Sequence, residues 1–145
     1  MKDNDKQIQV NEKYLDIIQA TITRMGQNSF QAKTWGITIV SGLLVFMFNK
    51  EGSDNSMKIL CIGVAIVVTC LFCFLDTYYL YLERGYRDLY NIAANLIEDK
   101  TVKDYDLSLP KESRGFKKAI NAFFSYSTGL FYCVVVFGLI LLSYI

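Results

Sequence analysis

The sequence predicts an all-helical integral membrane protein with one domain, and three observations support this prediction. The 145-residue chain is 52% hydrophobic and contains one proline and no histidine. Its apolar residues are concentrated in three blocks without Asp, Glu, Lys or Arg, at residues 34–49, 59–75 and 119–145. A helix needs about 17–25 such residues to cross roughly 30 Å of hydrocarbon. We therefore expect an N-terminal amphipathic helix, a transmembrane hairpin with a long cytoplasmic helical extension, and a C-terminal transmembrane helix.

Residues 7–27 form the predicted amphipathic helix. Gly26 predicts its end, and Asn28 or Ser29 could cap the next helix. The apolar face is expected either to lie on the bilayer or the protein's own cytoplasmic part, or to pack between subunits. Its apolar and neutral side chains recur at helical spacing, at Val10, Tyr14, Ile17, Ile18, Thr21 and Met25.

Three transmembrane segments are predicted, at residues 34–49, 59–82 and 122–145. The first is short, so Lys33 and Lys50 would have to extend towards the headgroups, with Trp35 at the interface. The charged N-terminus does not resemble a cleavable signal peptide, so the first span is expected to act as an uncleaved anchor.

The basic residues predict the orientation of these spans. Of the 15 Lys and Arg residues, five precede the first block, two lie between the first and second blocks, and eight lie between the second and third. Because cytoplasmic loops are enriched in Lys and Arg, the N-terminus and residues 83–118 are predicted to be cytoplasmic and the C-terminus external.

Residues 83–118 should begin as a continuation of the second helix to about Ile97 or Glu98. Gly85 is its weak point, at a cost of about 1 kcal/mol relative to Ala. A loop containing Pro110, the only proline, should follow. Anionic headgroups are the expected partners of the basic residues before the third block, each contributing about 1 kcal/mol, at Lys111, Arg114, Lys117 and Lys118.

The segment "FLDTYYLYLERGYRDLYN", residues 74–91, contains the candidate site. Asp76 directly follows an apolar run, so its carboxylate requires a donor, for which tyrosine hydroxyls or an arginine on another helix are candidates. The pairs Glu83–Arg87 and Arg84–Asp88 each place an acid and a base four residues apart, a spacing at which the two side chains can interact on a helix. We call the candidate residues the 76–90 stripe: Asp76, Tyr79, Glu83, Arg84, Arg87 and Tyr90.

Three interpretations of the 76–90 stripe remain open: an interfacial aromatic belt, a contact between subunits, and a carboxylate pair for chemistry. The third is the weakest, because Asp76 and Glu83 are two turns apart, about 10 Å along the axis. We therefore predict no catalytic, cofactor-binding or metal-binding residues and no enzymatic activity. The net charge of +1 argues against nucleic acid as a partner. The four cysteines, including Cys70 and Cys73, are expected to act as small apolar residues.

The string "NSFQAKTW" before the first span, with "FLDTYYLYLERGYRDLYN" after the second, resembles the RipA family of small bacterial inner-membrane proteins, described as octameric. The likeness covers roughly residues 28–91. It implies a homo-oligomer, with eight subunits as one expectation, in the bacterial inner membrane, built around the cytoplasmic extension of the second helix and without known enzyme activity. A more distant likeness is to two-helix membrane effectors of bacterial nucleotide-activated immunity.

Two classes of function follow. The first is a scaffold-like membrane assembly in envelope or stress physiology. The second is a pore-forming or membrane-perturbing effector, of the antiphage or abortive-infection type, that a partner triggers. A conducting path should be lined by polar side chains, and the spans contain few of them. That scarcity favours the scaffold.

Overall fold

The computed structural model describes residues 2–49, 55–98 and 106–143, and its described residues form helices and turns without any β-strand. Helix α1 spans Lys2–Asn49 and helix α2 spans Asn55–Glu98. After a 3₁₀ turn at Lys111–Ser113 come α3 (Phe116–Phe123), a π-helical turn (Tyr126–Leu130) and α4 (Phe131–Ser143). Residues 1, 50–54, 99–105 and 144–145 lie outside the described residues, and with them the expectation for Lys50. The all-helical fold class is confirmed.

Helices α1 and α2 form one long antiparallel pair. Met47 packs with Ile62 and Val40 packs with Ala65 near one end, whereas Ile18 and Leu89 share a core near the other. Both helices are long and apolar enough over part of their length to cross a membrane. Two long apolar helices support membrane association.

Helix α1 continues through Gly26, so the predicted helix end at this residue is wrong. Gly26 faces α2, where a Cβ at this position would make ordinary van der Waals contact with Glu83 Oε2 at 3.5 Å. The roughly 1 kcal/mol propensity cost of a helical glycine is small beside the tertiary packing that surrounds it.

Helix α2 ends at Glu98, which confirms the predicted continuation past Gly85. A Cβ at Gly85 would lie 2.9 Å from Leu109 Cδ2. The glycine that weakens the helix therefore also lets the loop before α3 dock closely on it.

The third apolar block is not one straight helix. It divides at residues 124–125 into α3 and a longer helical segment, with a bend of 46° between them. Ser125 is extended, and its carbonyl accepts the amides of Thr128 at 3.1 Å and Gly129 at 2.7 Å. Gly–Ser runs and π-turns are recognised causes of such bends. Before α3, Gly115 has φ 148°, a conformation that favours glycine.

Candidate functional site

Asp76 is the most completely buried ionisable side chain of the 76–90 stripe, with no exposed surface. Its partners are Ser29 and Lys33 on α1. The Ser29 hydroxyl donates to Oδ1, while Lys33 Nζ lies 2.7 Å from Oδ1 and 2.6 Å from Oδ2. Only the Oδ1 contact of Lys33 has hydrogen-bond geometry, so the Oδ2 contact is an ion pair.

The spacing on α1 explains how one carboxylate obtains two donors. Ser29 and Lys33 are four residues apart and therefore lie on the same face of the helix, and Lys33 Nζ is also 3.4 Å from Ser29 Oγ. The Lys33 side chain is 15% exposed, so its ammonium retains limited contact with the surroundings. The expectation that tyrosine or arginine supplies the donor is wrong.

The sequence does contain the two partners of this pair at comparable positions, one charged residue directly before the first apolar block and one directly after the second. Lys33 precedes the first apolar block and was expected to point outward to the headgroups. A buried carboxylate is costly in an apolar environment, and a lysine within reach on the neighbouring helix compensates for it. The pairing depends on the antiparallel register of α1 and α2, which the periodicity of either helix alone does not determine.

The bent third segment brings two buried hydroxyls to the protein interior. Thr128 is fully buried and Tyr132 is 6% exposed. Neither hydroxyl has a hydrogen-bond partner among the described residues. Tyr132 lies close enough to Asp76 and Cys73 for an electrostatic interaction with both. The region around Asp76 is thus a junction of α1, α2 and the third segment.

Glu83 is also buried, with its carboxylate facing Gly26 of α1. It pairs with Arg87 at 2.5 Å, while the Arg87 side chain is 62% exposed. This confirms the predicted i,i+4 contact between these two side chains. Asp76 and Glu83 have separate partners, so the structure does not bring them together as a carboxylate pair.

Arg84 connects α2 to the bend in the third segment. Its Nη1 donates to the Asn121 carbonyl at 3.1 Å and its Nη2 donates to Ser125 Oγ at 3.0 Å. The predicted pairing of Arg84 with Asp88 is replaced by other contacts. Asp88 instead accepts from Ser113 Oγ at 2.8 Å and pairs with Lys118 at 3.2 Å.

These contacts lower the pKa of Asp88. The hydrogen bond from Ser113 is the largest cause, and Lys118 adds a hydrogen bond and an opposite charge. Further along, Asp106 accepts from Ser108, and this lowers the pKa of the Asp106 carboxyl. Tyr14 donates to the Asp106 carbonyl at 2.5 Å, and burial followed by the Asp106 charge raises the pKa of its phenol.

The two tyrosines of the stripe have different environments. Tyr79 makes an edge-to-face contact with Tyr78, with ring centroids 5.9 Å apart. Tyr90 packs against the α1–α2 core that contains Tyr14 and Ile18. That core shows that α1 covers part of the stripe-bearing helix. Of the alternatives for the apolar face of residues 7–27, packing on the protein's own predicted cytoplasmic part therefore holds for Tyr14, Ile18 and Ile22.

Among the described residues, no three His, Cys, Asp or Glu side chains are grouped so that they could hold a metal ion. The four thiols are free, and Cys70 and Cys133 are exposed on the apolar part of the protein. The sequence matches no protein-family model and no curated protein, and the fold matches no solved structure.

Proposed function

We propose that the protein is a non-enzymatic membrane scaffold that assembles with copies of itself in the bacterial inner membrane and acts in envelope or stress physiology. The observation that carries this proposal is that the buried charged groups bind side chains of the same chain and hold its helices together. Asp76 is held by Ser29 and Lys33, so the intramembrane carboxylate joins two helices of one chain. The result is a stiff hairpin that projects well beyond its apolar half. The RipA resemblance supplies the envelope context and the octamer.

The proposed topology has three passes, with the N-terminus inside and the C-terminus outside. Thirteen of the 15 basic residues would then be cytoplasmic. Trp35 and Tyr78 are exposed and lie two residues from Lys33 and Asp76, the paired groups of α1 and α2, as expected for an aromatic belt at a membrane interface. The two helices after residue 115 are long and apolar enough to cross a membrane only when they are taken together.

Cysteine labelling tests this topology. In a variant without the native cysteines, Asn55→Cys should react with a membrane-impermeant maleimide on intact spheroplasts. Glu112→Cys should react only after lysis. The opposite pattern would reverse the orientation, and equal reactivity at both positions would contradict the hairpin across the membrane.

Some apolar side chains of α1 lie outside the α1–α2 core and are exposed, so they are available for self-assembly. Ile8, Val10 and Ile17 on the polar half of α1 are each more than two-fifths exposed. Arg87 presents most of its guanidinium to the surroundings although it pairs with Glu83. Arginine is enriched at subunit interfaces, and the buried core of an interface is more apolar than the rest of the protein surface.

Native mass spectrometry in lipid nanodiscs tests the assembly. We expect a single closed subunit number, such as eight, that Arg87→Glu reduces. Arg24→Glu is the matched control, since Arg24 is an exposed arginine on α1. Both variants are first compared with the native protein by circular dichroism. A monomer, or an unchanged count in folded Arg87→Glu, would exclude the stripe as the subunit contact.

The second candidate is a pore-forming or membrane-perturbing effector. The observation that favours it is the buried polar junction of Asp76 and Lys33, with Tyr132 nearby, next to apolar spans. If the junction forms part of a conducting path, liposomes containing the protein should leak ions and an Asp76→Ala variant should not. Leak of this kind would favour the effector over the scaffold. If the liposomes leak no ions at any protein density, the effector is excluded and the scaffold remains the proposed function.

A further inference from the structure

Two cavities lie along the seam between α2 and the third segment, one on each side of the bend at residues 124–125. The first is an apolar cleft of about 480 Å³. Its lining includes Cys70 and Cys73 of α2 and Gly129, Tyr132, Cys133 and Phe137 of the third segment. Because these residues belong to the apolar parts of both elements, the cleft would open to the hydrocarbon of a bilayer.

The second cavity is polar and has a volume of about 340 Å³. It is lined by Arg84, Arg87 and Lys118, with Asp88, Ser113 and Asn121 among the other lining residues. Arg87 is paired with Glu83 and Lys118 with Asp88. Arg84 donates only to neutral oxygens among the described residues, so one positive charge in the cavity is uncompensated.

The two cavities follow one face of α2 and are close together on the third segment. Asn121 lines the polar cavity and Phe123 lines the apolar cleft. Along α2, the eleven residues from Cys73 to Arg84 correspond to about 16 Å. That is close to half of the roughly 30 Å hydrocarbon thickness, which is the reach of a chain within one leaflet.

We propose that this seam is a binding site for one anionic phospholipid, with its phosphate at Arg84 and Lys118 and an acyl chain in the cleft beside Gly129 and Cys133. The single uncompensated positive charge matches the single negative charge of a phosphodiester. Arginine suits phosphate because its planar donors can form more than one hydrogen bond.

The bilayer is the source of this ligand, because the apolar cleft contributes nothing to binding a free phosphate ion. Burial of an acyl chain gains little over the surrounding lipid, since lipid tails are themselves apolar. Selectivity should therefore come from the headgroup at Arg84, while the cleft determines how many lipids are held. The proposal requires that the apolar half lies in a membrane and does not depend on the subunit number.

The test is native mass spectrometry of the detergent-purified full chain with added phosphatidylglycerol or phosphatidylcholine of identical acyl chains. We expect one phosphatidylglycerol per chain, bound about tenfold more tightly than phosphatidylcholine, a difference typical of one charge-assisted hydrogen bond. Arg84→Gln should remove this preference, and Lys118→Gln should reduce it if Arg84→Gln fails to fold. Cys133→Trp should fill the cleft and lower the binding of both lipids.

Two exposed positions outside both cavities provide matched controls. Lys117→Gln removes a neighbouring positive charge, and Leu141→Trp adds the same bulk elsewhere on α4. Both should bind phosphatidylglycerol like the native protein. Equal binding of the two lipids, or equal loss in Lys117→Gln and Arg84→Gln, would overturn the site in favour of general attraction to anionic surfaces. Displacement of the lipid by millimolar inorganic phosphate would also overturn it, because it would identify a free-anion site.

Discussion

The two halves of the α1–α2 pair differ in the side chains on their outward faces. In the polar half, Tyr14, Ile18 and Ile22 face α2 and are buried, whereas charged residues such as Arg24 face outward. In the apolar half, large side chains such as Phe46 and Leu71 face outward and are exposed. The difference indicates that the surroundings, water in one half and hydrocarbon in the other, determine which faces of a continuous helix are buried.

The contact between α1 and α2 also differs between the two halves. In the apolar half, small residues contribute to the contact, with Gly36 against Phe72 and Ala65 packed with Val40 and Leu139. Lipid tails are as apolar as leucine, so helices there associate through close packing and polar contacts. In the polar half, the burial of large side chains from water is itself the driving force. The Asp76 junction lies at the transition between these two modes.

The largest expected effect comes from breaking the ion pair at this transition. Lys33→Ala should destabilise the protein by roughly 3 kcal/mol, because it leaves the buried Asp76 carboxylate without its ammonium. Denaturation of the purified protein in detergent micelles measures the change. Lys33→Met combined with Asp76→Leu should unfold near the native midpoint, since neither charge then remains buried. A loss below about 1 kcal/mol in Lys33→Ala would contradict an essential ion pair.

The second effect tests the polar half. Ile18→Ala should cost about 2–4 kcal/mol, because Ile18 is fully buried between α1 and α2. Ile17→Ala is the matched control and should change stability by no more than about 0.5 kcal/mol, because its side chain is 43% exposed. Equal losses at the two positions would show that Ile17 is buried in an assembly. In that case Ile17→Ala should also lower the number of subunits relative to the native protein.

The third effect tests close packing in the apolar half. Gly36→Leu should cost about 1–3 kcal/mol, because even a Cβ at this position would lie 3.1 Å from Phe72 Cβ. Gly42→Leu should be neutral or stabilising, because no atom lies within 4 Å of a Cβ there and leucine has a higher helix propensity than glycine. A neutral Gly36→Leu variant would indicate that α1 and α2 separate easily in the membrane half.

The sequence could predict the helices better than it could predict their contacts. Uncharged apolar runs and helical periodicity depend on neighbouring residues, so they predicted an all-helical protein and the end of α2 near Glu98. The prediction that a helix ends at Gly26 was wrong, because tertiary packing against α2 outweighs the small propensity cost of one helical glycine. The bend at Ser125 is accompanied by the hydrogen bond from Arg84 of α2 to Ser125 Oγ, a long-range contact that hydropathy does not register.

For the candidate site, the sequence predicted that Asp76 needs a partner but not which one. Of the contacts expected within the 76–90 stripe, Glu83–Arg87 forms as predicted. Arg84 and Asp88 instead contact the chain around residues 113–125. Those contacts depend on how the third segment returns to α2, and a single sequence contains little information about that return.

The smallest expected effect concerns this return, through Asp88 in the polar half. Its folded-state pKa is depressed below the ordinary 3.8 by Ser113 and Lys118. The contribution to stability is therefore present above pH 3.8 and is lost as the pH falls through the lower, folded-state pKa. Since the Asp88 side chain is 42% exposed, solvent screening limits the contribution to a few tenths of a kcal/mol.

Asp88→Asn should accordingly be slightly less stable than the native protein at pH 7. The difference should disappear well below pH 3.8, where the native carboxyl is protonated. Glu112→Gln, an exposed acid beside the same turn, is the control and should show no comparable change. Unfolding midpoints of the three proteins at both pH values test this. A difference between Asp88→Asn and the native protein that persists at low pH would show that Asp88 contributes through hydrogen-bond geometry with Ser113 rather than through its charge.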